Sequence, residues 1–295
     1  MPHSSSSAAT PPAAASAPPP SLLVLALRDR PRGMLRTAFP RRRSRTLFTR
    51  THAEFSAQLR DSLIDAAFVD LGNAPEEAWA VAELARDFPS VPFFAVVPLR
   101  SAEAGTPARC AALGFADVLF DGVDDSVARE LVMPQTFSAR FAAALREPPA
   151  QFGLATTLQR NAWEVIVAHG GRPVRTGELA TALSVTREHL SRSFAADGAP
   201  NLKRVIDLVR LVAAAELSKN PGYDVRDVAQ VLGFASSSHL SSTAQRVVGT
   251  RPASLARLRT VDLFERFADG HGRSRTPAHA VLAAGAGGEG TGGPQ

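Results

Sequence analysis

Cysteine is nearly absent. Cys110 is the only one, so no disulfide can form within the chain, and a reducing cytoplasm is the compartment we expect. Long hydrophobic runs are missing too. None approaches the roughly 18 residues that a bilayer-spanning helix needs. Residues 1–20 carry no basic n-region, and the Leu22–Leu27 run that follows is too short for a signal-peptide core. No membrane partner is therefore expected. The chain also lacks a Gly-rich phosphate loop, a Gly-x-Ser-x-Gly nucleophile elbow and any His/Cys cluster with ligand spacing. The reading is of a protein that is not an enzyme and has no cofactor or metal. His189 and His239, which flank buried leucines, are expected to pack or to be partly exposed.

Lysine is scarce: of 33 basic residues only Lys203 and Lys219 are Lys, so 31 are Arg. Arginine suits planar, bidentate contact with phosphate and guanine. A GC-rich codon bias would give the same enrichment. The net charge of +5 and the pI of about 10.4 favour an anionic partner. The basic run Arg41-Arg42-Arg43-Ser44-Arg45 is either a solvated loop or a contact with DNA or an acidic partner.

The chain divides by pattern. Residues 1–20 and the Gly/Ala-rich stretch 269–295 cannot bury enough surface to offset ordering and are expected to be disordered. From 21 to 147, short apolar runs alternate with amphipathic ones. Strands are expected at Leu22–Leu27, Arg45–Phe48, Ala66–Leu71, Pro92–Val97 and Asp117–Phe120. Helices are expected at Ala53–Ser62, Pro75–Phe88 and Pro107–Leu113, with a last one over Ser126–Leu145. That alternation implies an α/β domain, a doubly wound five-stranded parallel sheet. Pro148 and Pro149 mark a linker at 148–152. Residues 153–268 read as an all-α domain.

Within it, Thr176 can cap a helix Gly177–Leu183. Ser184 and Val185 then turn the chain, and Thr186 can cap a second helix, Arg187–Ala195, that buries Leu190 and Phe194. Asp224 can cap Val225–Leu232, Gly233 can end it in a left-handed conformation, and Ser236 can cap Ser237–Val248. Each pair has the form of a helix-turn-helix. The amphipathic stretch Leu202–Leu217 joins the two as a rigid strut. Two reading helices held this way can enter successive major grooves about 34 Å apart.

These residues resemble the DNA-binding domain of the AraC/XylS family of transcription regulators over about 155–259. The resemblance is carried by "DVRDVAQVLGFASSSHLSSTAQRVVGTRP" at 224–252, by Arg210 and Leu211 in the strut, and by "ELATALSVTREHLSRSF" in the first unit. It implies that Glu188, Ser191 and Arg192 face bases and that Arg187 lies near phosphate. On the second reading helix Ser237, Ser238, Ser241 and Ser242 match. Arg192 is the leading candidate to read a guanine, and Glu188 could accept from a cytosine amino group. The chain departs from the family's pattern at Ala199, where Gly is usual, at Ala244, where a large aromatic is usual, and at Ser242, where Arg is frequent.

Residues 21–147 are similar to a response-regulator receiver domain, with Asp70 at the strand end where such a domain keeps its phosphate-accepting Asp. The rest of that chemistry does not line up. Arg28-Asp29-Arg30 replaces an acidic pair, no hydroxyl precedes Ser101 after the fourth strand, and Asp121 stands where Lys is expected. The sequence is thus read as a sequence-specific transcription regulator of double-stranded DNA. Its pseudo-receiver would serve homodimerisation or signal input from an unknown small-molecule or protein effector. Two alternatives stand beside it: a response regulator phosphorylated at Asp70, and an interaction protein that has lost DNA specificity.

Overall fold

The computed structural model describes residues 17–72, 74–99 and 105–273. Ser101 and most of both expected disordered ends lie outside these. At the inner edges the expectation is corrected. Ala17–Pro20 is placed, with the Pro20 carbonyl accepting from the Arg45 N–H at 2.8 Å, and a helix covers residues 269–273.

Five parallel strands form one sheet: β1 (Ser21–Leu25), β2 (Arg45–Thr49), β3 (Ala66–Asp70), β4 (Phe93–Val97) and β5 (Asp117–Phe120). Their order is β2-β1-β3-β4-β5, with Leu23 beside both Leu47 and Ala67, and Val96 beside both Asp70 and Leu119. This is the flavodoxin-like doubly wound order. Strands β1, β3 and β4 are buried at every position, as expected where helices cover both faces of a parallel sheet. Alternate residues serve opposite faces. Leu22, Val24, Phe68 and Phe94 pack with α1 (Asp29–Ala38) and α5 (Asp125–Val132). Leu23, Leu25, Val69 and Phe93 pack with α2 (His52–Asp61), α3 (Glu76–Glu83) and α4 (Thr106–Leu113).

Three helical expectations are corrected. The first helix, α1, was not anticipated, because its stretch is polar and carries Pro31 and Gly33; Pro31 sits in the first turn, where no helical N–H is lost. Helix α3 is shorter than 75–88 and tightens into a 3-10 turn at Leu84–Arg86. The single helix expected over 126–145 breaks at Pro134, which cannot donate to the carbonyl four residues back. It leaves α5, a 3-10 turn at Met133–Gln135, and α6 (Phe137–Ala144).

The remaining residues are helical: α7 (Thr157–Ala168), α8 (Thr176–Ala182), α9 (Arg187–Phe194), α10 (Leu202–Leu217), α11 (Val225–Val231), α12 (Ser237–Val248), α13 (Pro252–Leu255) and α14 (Thr260–Arg273). The expected linker is packed rather than free. Phe152 is buried against Trp163, Phe264 and Phe267, and the Trp163 indole N–H donates to the Leu145 carbonyl at 2.8 Å.

The two halves share a core, and polar contacts stitch its edge. The carboxylate of Asp65, fully buried, accepts from the Ser21 and Ser138 N–H groups at 2.7 and 3.1 Å and from the Arg172 guanidinium. Asn220 exchanges hydrogen bonds with Ser90. Gly222 lies against the Phe88 ring with no room for a side chain. The Tyr223 ring packs edge-on to Phe88 at 4.8 Å, and its hydroxyl donates to the Leu59 carbonyl at 2.8 Å.

Burial of Tyr223, assisted by nearby Asp227, raises its phenol well above the ordinary range. The unfolded phenol ionises near about 10. Stability from Tyr223 is therefore complete below that pH and is lost as pH climbs from there toward the folded value. As Tyr223 is the chain's only tyrosine, alkaline titration followed by phenolate absorbance should show ionisation together with unfolding. Reversible ionisation near 10 with the fold intact would contradict the packing.

Candidate nucleic-acid interface

The first unit is built by local signals. Helix α8 begins one residue earlier than expected: Arg175 is the N-cap, its N–H donating to the Glu178 carboxylate at 2.9 Å, and Thr176 is the first helical residue. Leu179 and Ala180 are buried, and Leu183 is half-buried. Ser184 takes a positive φ of 55° in the turn. Thr186 caps α9, its hydroxyl accepting from the His189 N–H at 3.1 Å. Leu190 and Phe194 face the core and leave the other side of α9 to solvent. Arg187, Glu188, Ser191 and Arg192 are all exposed there, and the three- and four-residue spacings place them on one face. Among the described residues no ion pair joins Arg192 to Glu188, so both side chains are available. Past α9, Gly198 rather than Ala199 takes the left-handed conformation (φ 84°), so the turn closes one residue before the position the family resemblance implies.

The second unit follows the same logic. Asp224 and Asp227 cap α11 reciprocally at 2.8 and 3.1 Å. Gly233 ends it with φ 64°, a conformation that costs a side-chain-bearing residue more. Ser236 caps α12 by accepting from His239 N–H at 3.1 Å. Leu240, Ala244 and Val247 point inward. Ser238 and Ser242 are exposed, and Ser237 and Ser241 are half-buried. The Ser242 hydroxyl donates back to the His239 carbonyl at 3.1 Å. His239 and His189 are both exposed.

Helix α10, with the bounds expected for the strut, carries both units. Asp207 pairs with Arg246 of α12 at 2.8 Å. Arg210 donates to the Leu232 carbonyl at the end of α11 and lies 3.9 Å above the Phe234 ring, which explains an arginine at this largely buried position. Desolvation lowers its pKa. In the first unit, the buried Gln159 of α7 donates to the Phe194 carbonyl at 2.9 Å, capping α9. The sheet half braces the second unit: Gln230 donates to Asp61 at 2.9 Å, and Arg60 lies 3.7 Å from Asp227.

Asp70 lies elsewhere, at the end of β3. Its side chain is 1% exposed and is held by Arg28. Arg28 Nε donates to Oδ1 at 2.9 Å, and the Arg28 main-chain N–H donates to Oδ2 at 3.1 Å. Nη1 of the same guanidinium donates to Asp121 at 2.7 Å. Burial disfavours the Arg28 cation, but the hydrogen bonds and charges of Asp70 and Asp121 outweigh this and raise its pKa above the ordinary arginine value. Gly72 makes room for the arrangement, since a Cβ there would fall on the Arg28 guanidinium. One arginine therefore neutralises both carboxylates.

Residues 179–257 match the family model of a helix-turn-helix domain. The match covers both units and supports the AraC-type resemblance read from the sequence. No curated protein sequence matches the chain. Two solved structures are loosely similar. One is a response regulator protein from Burkholderia pseudomallei with a phosphorylated aspartic acid, calcium ion and citrate, at 18% identity and a TM-score of 0.33 over 60% of this chain and 99% of that one. The other is full-length FixJ from B. japonicum, at 11% identity and a TM-score of 0.36 over 81% and 98%. Neither likeness bears on function.

The helix-turn-helix surface includes basic residues that the sequence reading did not single out. Arg175 and Lys203 join Arg187 along a cleft of about 660 Å³ between the start of α8 and α10. Arg251 and Gln245 border a second concavity beside Ser238, Ser241 and Ser242. Arg251 precedes Pro252, and that proline alone was read as closing the unit. Residues Arg41–Arg43 form an exposed turn at the far side of the chain sequence, in the sheet half.

Proposed function

We propose that this protein is a sequence-specific DNA-binding transcription regulator whose α9 and α12 enter successive major grooves. The observation that carries the reading is the helix-turn-helix match over 179–257, combined with an exposed, unpaired Arg192 on the outward face of α9. Arg192 reads a guanine, Glu188 accepts from a cytosine amino group, and Ser191 completes the face. Arg187, Arg175, Lys203 and Arg251 contact phosphate. Ser237, Ser238, Ser241 and Ser242 supply the second unit's contacts. Residues 151–270 hold 15 Lys/Arg and 11 Asp/Glu, a net of +4, the sign that DNA requires. The division into a sheet domain at 21–147 and a DNA-binding domain at 153–268 is part of the proposal, as is a homodimer on paired sites.

Arg192→Ala is expected to lower the ratio of specific to random-DNA affinity by roughly 5- to 150-fold, the equivalent of about 1–3 kcal/mol. Binding to random DNA should change little. Fluorescence anisotropy with both duplexes at several salt concentrations reads this directly. Equal losses on the two duplexes would remove the base-contact role.

Input through phosphorylation of Asp70 is not part of this reading. Arg28 occupies the carboxylate that a phosphoryl group and Mg²⁺ would need. Incubation with acetyl phosphate and Mg²⁺ should leave the intact mass unchanged. A gain of one phosphoryl group that Asp70→Asn abolishes would restore that alternative.

A further inference from the structure

Between the sheet half and the strut lies a cavity of about 390 Å³, bounded by α6, the last turns of α10 and the first residue of α14. Its wall is largely apolar, with Phe137, Phe141, Leu145 and Val212 in it. Two cations reach it from opposite sides, and their situations differ. Lys219 is paired with Glu216 at 2.6 Å. Arg140 donates one hydrogen bond, to the Ser90 carbonyl at 2.6 Å, and among the described residues no carboxylate pairs with it. Desolvation lowers its pKa, with no acidic neighbour to offset that. Every other cation that the fold draws this far from water is matched or stacked: Arg28 and Arg172 on carboxylates, Arg204 and Arg210 on aromatic rings.

An unmatched guanidinium at the edge of an apolar hollow of this size has the composition of a small-ligand site, which pairs apolar walls with a few placed polar groups. The planar fork of arginine selects a carboxylate. We propose that the cavity binds a small organic monocarboxylate, its aryl or alkyl body against Phe137, Phe141, Leu145 and Val212 and its carboxylate on Arg140. The ligand would touch α6 of the sheet half and α10 of the helical half together. Any difference in its affinity between two placements of these halves then biases the strut that carries both reading helices. The binding claim itself does not depend on DNA recognition.

The test uses the full chain and ligand-observed NMR with benzoate, phenylacetate, indoleacetate and octanoate at millimolar concentration. Phenylacetamide and inorganic phosphate serve as controls. At least one carboxylate is expected to bind, with the amide and phosphate each about tenfold weaker or more. Arg140→Gln should weaken the bound carboxylate by about tenfold, and Arg140→Lys by less. Ala144 lines the cavity but is exposed, so Ala144→Trp should fill the space and abolish binding while the chain stays folded. That variant carries the test if Arg140→Gln fails to fold. Binding by none of the four carboxylates, binding of phosphate or the amide as tight as theirs, or binding unaffected by Ala144→Trp would each overturn the proposal.

Discussion

Arg28→Ala is expected to cost the folded state roughly 3–5 kcal/mol, the range for removing one partner of a buried ion pair. The cause is what remains behind. Asp70 and Asp121 have side chains 1% and 5% exposed, and Arg28 is the cation that reaches both. Arg30 comes only to 3.9 Å of Asp121 and is itself mostly exposed. Without Arg28, two carboxylates face each other at the ends of β3 and β5 with little water to screen them. Arg28→Lys should recover only part of the loss, because an ammonium cannot make the forked contact to Asp70 and also reach Asp121. Urea denaturation followed by circular dichroism would order the three proteins as parent, Lys variant, Ala variant. An Ala variant within about 1 kcal/mol of the parent would mean that the clamp contributes little net stability, as many exposed ion pairs do.

Arg172→Ala is expected to destabilise by a similar amount, toward the lower end of that range. Asp65 is fully buried, but it keeps the N–H donors of Ser21 and Ser138 when the guanidinium is gone. The position of the loss matters as much as its size. Arg172 precedes α8, whereas Asp65 begins β3, and the same guanidinium also reaches the Leu63 carbonyl and the Ser138 hydroxyl. The variant should therefore loosen the junction first. Hydrogen exchange should rise at residues 63–65 and 138, and at the neighbouring contacts of Tyr223 and Asn220, before it rises in the centre of the sheet. Uniform exchange across the chain, with no loss of stability, would show that the junction is held by its apolar contacts alone.

What the sequence made legible was local. Asn201 caps α10 by accepting from the Lys203 N–H, and the long amphipathic run after it fixed the strut's bounds. Asp224, Gly233, Ser236 and Gly249 each act within a few residues of themselves, so the second unit could be laid out residue by residue. The apolar runs of β1, β3 and β4 announced a buried parallel sheet. Misjudged boundaries came from weak or competing local signals: Pro31 and Gly33 concealed α1, and Pro134 was passed over inside an otherwise helical pattern. The long-range pairings had no local signature. Arg172 and Asp65, Asn220 and Ser90, and Tyr223 and Leu59 are separated by 107, 130 and 164 positions. The acidic site is the clearest case. Arg28 in place of an acidic residue and Asp121 in place of a lysine read as two separate departures from a receiver. In the fold they are one exchange of charge, in which each departure neutralises the other.

The central claim is that both helix-turn-helix units read DNA. Incubating the full-length protein with sheared genomic DNA at moderate salt, and sequencing the bound fragments, tests it most directly. The account predicts a recurring motif spread over about two helical turns, as two reading helices in successive major grooves require. Uniform recovery of genomic fragments, with no enriched motif, would contradict it.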